Sequence, residues 1–189
     1  MLADAQGGYF SAAQARAYGY GYRLQHYHVA VGNWFRVGRA IFRLRVYPTH
    51  QWEDLVRVSF WALQRGVVSH ESALSVHDLG ETIPDRIHLI VPPGFRKRDA
   101  AVFLHTGQVN EEDVESRPGF RITAPLRSLL DCADDALVQE QFTAAVQDGL
   151  KAGIPVHRLE DRARGLTPYG RQRLERALRV AAVRREVDR

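Results

Sequence analysis

Three short segments decide the fold: Phe10-Ser11-Ala12-Ala13-Gln14, the turn Gly19-Tyr20-Gly21 with Tyr22 to Val31 after it, and the pair Trp34-Phe35-Arg36-Val37 and Ile41-Phe42-Arg43-Leu44-Arg45. Ser11 and Gln14 have the S-x-x-Q spacing of a capping box, in which serine accepts from the amide three residues on and glutamine reaches back. A helix is therefore expected from Ala12 to Tyr18, built on Ala12, Ala13, Ala15 and Ala17 and stopped at Gly19, which can turn left-handed. A second helix is expected from Tyr22 to about Val31, ending at Gly32, with Leu24, His28 and Val31 inward and Arg23, Gln25, His26 and Ala30 outward. Two helices joined by a glycine turn form a helix-turn-helix or an unrelated helical hairpin. The two β-prone runs around Gly38-Arg39-Ala40 read as a hairpin, and the sum reads as a winged helix-turn-helix.

Working outward, charge supports that reading. The 189-residue chain carries a net charge of +4, unevenly distributed. Residues 1 to 47 hold six arginines (16, 23, 36, 39, 43, 45) against one acid, Asp4; the middle of the chain is acidic and the last 29 residues are basic again. Phosphate binding exchanges condensed counterions for fixed cations, so a one-sided segment suits nucleic acid. Tyr22, Arg23, Gln25 and His26 are the candidate base-reading residues in a major groove, and Ser11, Arg36, Arg39 and Arg43 the candidate phosphate contacts. The expected fold class is α+β. Residues 1–47 form the DNA-binding domain, and residues 48–189 a mixed α/β domain with a small sheet and a helical C-terminal half.

The segment Gly8-Tyr9-Phe10-Ser11-Ala12-Ala13-Gln14-Ala15-Arg16, continued by Leu24, His28, Val29 and Gly32, resembles the opening of the AbiEi-type antitoxins, transcriptional regulators of bacterial abortive-infection toxin–antitoxin systems. Val68-Ser69-His70-Glu71-Ser72-Ala73-Leu74, Ile87-His88-Leu89-Ile90-Val91-Pro92 and Arg121-Ile122-Thr123-Ala124-Pro125-Leu126-Arg127-Ser128-Leu129-Leu130-Asp131 are similar to later segments of that family. The likeness extends to about residue 152. It departs at Ala40, where the family has glycine between the wing strands, and at Met1 to Gln6, which shorten the helix preceding the helix-turn-helix. The resemblance implies a repressor of its own promoter, bound to inverted repeats of double-stranded DNA. It also implies an antitoxin countering a nucleotidyltransferase toxin without a tight complex. Alternatives are a nuclease or other effector with a catalytic second domain, a regulator with no toxin, and a protein-interaction module.

The remaining residues nominate no chemistry. Helices are expected over Gln51 to Leu63, Ser69 to His77, Thr123 to Ala133, Ala136 to Ala152 and Thr167 to about Val187, and strands over Arg86 to Val91, Ala101 to Thr106 and Phe120 to Ile122. Arginines 171, 173, 176 and 179 are expected on the outer face of the last helix. His70, Glu71, His77, Asp78, His88 and His105 are of metal-ligand types but have no H-E-x-x-H or paired-cysteine spacing. His88 and His105 read as packing histidines within strands. There is no phosphate loop and no G-x-S-x-G elbow, and Lys97 and Lys151, the only lysines, stand beside no strand-borne acidic pair of nuclease type. The single cysteine, Cys132, lies in an apolar run and reads as a buried thiol. No catalytic residue, metal ligand or cofactor is expected, nor any membrane association; the cytoplasm is the expected compartment.

Overall fold

The computed structural model describes residues 2–187, with side chains to Val183. Met1 and residues 188–189, the outer ends of the two expected units, lie outside the described residues. Among the described residues the chain is α+β, with nine α-helices and two sheets. A short helix α1 (Leu2–Ala5) leads into β1 (Tyr9–Ser11), then α2 (Ala12–Ala17), α3 (Tyr22–Ala30) and the hairpin β2 (Trp34–Gly38) and β3 (Ile41–Leu44). β3 lies between β1 and β2, antiparallel to both. The Ser11–Gln14 capping box forms as its spacing indicates. The tip residue Ala40 adopts φ +58°, the left-handed conformation that favours glycine.

Helix α4 (Glu53–Trp61) begins the second unit, which continues through β4 (Val67–Val68), α5 (His70–Val76), β5 (Ile87–Val91), β6 (Val102–Thr106), β7 (Val114–Arg117), β8 (Phe120–Thr123), α6 (Pro125–Ala133), α7 (Gln139–Lys151), α8 (Val156–Arg162) and α9 (Pro168–Val187). The five strands order as β6-β5-β4-β8-β7, with β4/β8 and β5/β6 parallel and the outer and central hairpin pairs antiparallel. β1, β4, β7 and α8 are additions to the expected elements. β4 is two residues long, and β7 reads Val-Glu-Ser-Arg, so neither carries an apolar alternation long enough to register.

Three apolar cores result, the smallest of them Phe10, Ala15, Trp34 and Phe42 within the N-terminal unit. One, in the helical half, joins Leu74, Leu129, Phe142, Val146, Leu159 and Leu174. Another joins α4 (Leu55, Val56, Val58, Phe60) to sheet residues Val68, Leu89 and Ile122, and includes Tyr9 and Ile41 from the N-terminal unit. The packing thus crosses residue 47 without a gap. The Tyr9 and Phe60 rings stack 6.2 Å apart. Gly119, in the β7–β8 turn at φ +86°, completes this seam by donating its amide to Ala5 O at 3.2 Å.

Arg173 corrects the outward reading of the last helix. It is buried and donates to the carbonyls of Cys132 and Ala133 at the end of α6 and of Asp135 and Leu137 just past it. The last carbonyls of a helix lack donors from a following turn, and a guanidinium with five N–H groups satisfies several carbonyls at once.

Asp113, also buried, accepts two hydrogen bonds from Arg162 at 2.7 and 2.8 Å. Those bonds hold its carboxyl below the ordinary aspartate range, against the opposing effect of burial. Arg127 lies 3.5 Å away and also pairs with Asp131.

Two outcomes follow for stability. Replacing Asp113 with Asn should cost about 2 kcal/mol in denaturant unfolding at pH 7. Because the folded pKa is depressed, that contribution is present above the unfolded value and lost as pH falls through the folded one, so mutant and parent should converge in acid. Gly119→Ala should cost about 2–4 kcal/mol, since a Cβ would meet Val56 Cγ1 at 2.7 Å and Gln6 O at 2.8 Å in a left-handed backbone.

Candidate nucleic-acid interface

The rotation of α3 about its axis determines which residues it offers. Gln25 is buried, donating through Nε2 to Tyr20 O at 2.7 Å and Ala12 O at 3.1 Å. A buried amide with both protons bonded is stable inside, and here it ties α3 to the start of α2 and to the intervening turn. His28, half-buried, stacks on Trp34 with centroids 4.7 Å apart, and Tyr20 packs against both rings. Trp34 in turn meets Phe10 and Phe42. The inner face of α3 is therefore Gln25, His28 and Val29.

This phase corrects the expected one. Gln25 is a packing residue and does not read bases, whereas Leu24 and Val31, expected inside, are each 47% exposed. The outer stripe is Tyr22, Arg23, His26, Tyr27 and Ala30, spaced to share one side of a 3.6-residue helix. Tyr22 and Tyr27 are well exposed. Arg16, from α2, donates to Tyr22 Oη at 3.1 Å and sits 5.4 Å from its ring, so it joins the same surface. Arg16 and Tyr27 were not among the expected contacts; the Tyr22/His26 and Arg23/Tyr27 spacing of four is the signal that would have included the latter. At the other end of α3, Arg45 lies against Gly32, placing a cation beside the helix C-terminus.

Two expected phosphate contacts are engaged elsewhere. Arg43 is buried, paired with Glu53 at 2.7 Å and donating to Tyr47 O at 2.8 Å. A bare two-stranded ribbon would leave that side of β3 open, but β1 pairs along its edge and α4 covers the face. Ser11 donates its amide to Gln14 Oε1 at 2.8 Å and accepts from Gln14 N at 3.1 Å, so that amide is not free for an anion. Arg36 and Arg39 remain exposed. Arg36 stands 5.6 Å from the Phe42 ring. Arg39 faces the second unit and shares a cleft of about 330 Å³ with Arg57 and Lys97, outside the α3 stripe.

The arrangement presents a convex helix whose outer side holds cations, a histidine and two phenols, with no carboxylate anywhere in α2, α3, β2 or β3. Such groups donate hydrogen bonds to base edges and phosphates, and tyrosine rings add stacking and apolar contact.

No family model and no curated protein matches the chain. Its fold is similar to that of the RV2827C protein from Mycobacterium tuberculosis, whose crystal structure aligns with a TM-score of 0.61, covering 92% of this chain and 72% of that one. At 15% identity the likeness is one of fold.

Proposed function

We propose that the chain is a DNA-binding transcriptional regulator whose N-terminal unit acts as a winged helix-turn-helix, with α3 entering the major groove. The observation that carries this reading is the α3 stripe: Tyr22, Arg23, His26 and Tyr27 face solvent beside Arg16, and no acid offsets them in α2, α3 or the hairpin. Arg23 and His26 are the base-reading residues on this reading. Arg16, Arg36 and Arg45 serve the flanking phosphates, and Arg39 with Arg57 and Lys97 offers a second backbone contact beyond the groove. The resemblance to AbiEi-type antitoxins extends the proposal: the DNA is the chain's own promoter with inverted repeats, and the second unit counters a nucleotidyltransferase toxin.

A second reading, a protein-docking surface, draws on the exposed Leu24, Val31 and Phe35 around the same helix. Salt separates the two, because DNA binding through phosphates weakens steeply as salt rises and apolar docking does not.

Band-shift titration against the DNA upstream of the gene tests the proposal. Arg23→Ala should weaken operator binding by about 1–3 kcal/mol and relax specificity at one base position. Gln25→Ala should lower stability instead. Equal operator binding by the Arg23 variant would remove its reading role. Arg39→Ala should weaken binding to all sequences alike and reduce the salt slope by about 1; an unchanged slope would remove Arg39 from the interface.

A further inference from the structure

Far from α3, four elements bring four potential ligands to one point. His70 opens α5, His88 lies in β5, His105 in β6, and Asp135 in the loop after α6. β5 and β6 are parallel with Ile90 opposite His105 and His88 opposite Phe103, which sets the two histidines two residues apart on the same side of adjacent strands. One ring nitrogen from each histidine falls within 4.8 Å of the others. His88 Nδ1 and His105 Nε2 are 3.1 Å apart. Asp135 Oδ2 is 3.9 Å from each of these and 4.0 Å from His70 Nε2.

We propose that His70, His88, His105 and Asp135 form a zinc site. Four-coordinate zinc with bonds of about 2.0–2.1 Å to nitrogen and oxygen places its ligand atoms about 3.3 Å apart. The present separations lie on both sides of that value, from 3.1 Å between His88 and His105 to 4.0 Å between His70 and Asp135 and at most 4.8 Å between histidine nitrogens, and reaching it requires side-chain adjustments. The main one is a tilt of His70 against His105, whose rings now stack at 3.5 Å with planes 9° apart and so direct their lone pairs side by side.

Three further observations favour a metal over a packed histidine cluster. Asp135 Oδ2 is a buried carboxylate oxygen with no hydrogen-bond partner, although the same carboxylate's Oδ1 accepts from Ala136 N at 2.8 Å. An acceptor left bare among rings is costly, and a bound cation would satisfy it. Next, the ligands are positioned from behind. His70 Nδ1 lies 2.9 Å from the buried Ser69 Oγ. Ser69, the N-cap residue of α5, makes no capping bond with its hydroxyl. An Nδ1–H donated to that hydroxyl leaves Nε2 bare toward the site, the usual support of a ligating histidine. Arg173 holds the Asp135 backbone through its carbonyl. Finally, His70 is held at φ +51°, an unusual conformation for a residue with a Cβ.

A three-histidine, one-carboxylate set of hard and borderline donors suits Zn²⁺. With four protein ligands the site is closed, and its role is to fasten the β5–β6 edge to the end of α6.

The test uses the full chain without an affinity tag, stripped with chelator, reloaded with zinc chloride and gel-filtered. Elemental analysis should find one zinc per chain, with His157→Ala, an exposed control, unchanged. His105→Ala and Asp135→Asn should each lose at least tenfold in zinc affinity. Zinc should raise the unfolding midpoint of the parent by several degrees and leave that of His105→Ala unmoved. Should His105→Ala not fold, cobalt substitution of the parent and of Asp135→Asn decides, through the intense visible bands of a four-coordinate site, which the parent should show and the variant should lose. A parent retaining less than a tenth of an equivalent, or a stoichiometric His105→Ala, overturns the site.

Discussion

The N-terminal unit is held to the rest of the chain by a shared core, and the presentation of α3 depends on that seam. Tyr9 and Ile41 enter the same apolar cluster as Val56, Phe60 and Ile122, so β1 and β3 rest on α4 and through it on the second sheet. Arg43 and Glu53 close the seam with an ion pair at its edge. The apolar contacts supply most of the attraction, since burial of a Tyr or Ile side chain is worth about 1.5–3 kcal/mol, while the paired charges fix the register of hairpin against helix. With one side of its sheet occupied in this way, the N-terminal unit can turn only α3 and its neighbours outward.

Polar side chains used as internal struts recur through the molecule. Gln25 sets the angle between α2 and α3, Arg173 satisfies carbonyls at and just past the end of α6, and Asp113 gathers Arg162 and Arg127 from two other helices. Each is a long or charged side chain that composition alone assigns to the surface. Each is inside because its N–H donors, or for Asp113 its carboxylate oxygens, find partners there. Asp131 shows the opposing effect: burial pushes its carboxyl up to about 6 despite the nearby Arg127.

These struts also explain what could be read in the sequence. The order and limits of α2, α3, β2 and β3 were legible because local chemistry writes them: the Ser11–Gln14 box, the glycines at 19, 21 and 32, and apolar runs on either side of Gly38; the three-residue β1 was not. The phase of α3 was not. With nine residues and a mixed composition, apolar spacing alone favoured Leu24 and Val31 as the inner face, while the partners of Gln25 lie 5 and 13 residues away. Arg23 and His26 were placed outward by either phase, so part of the candidate interface survived the misreading. The cluster of three histidines and Asp135 was hidden for another reason. Its members come from positions 70, 88, 105 and 135, and only the parallel pairing of β5 with β6 and the chain reversal after α6 bring them together.

The link between the two units has a consequence of its own. Residues 45–51 run over the surface, with Val46 and its neighbours open to solvent, yet the bodies they connect interlock through buried aromatic and aliphatic side chains. The backbone there serves as a tether more than as a joint. A protease that nicked this segment would cut a covalent bond without separating the pieces, and the two fragments would migrate together until a denaturant prised them apart.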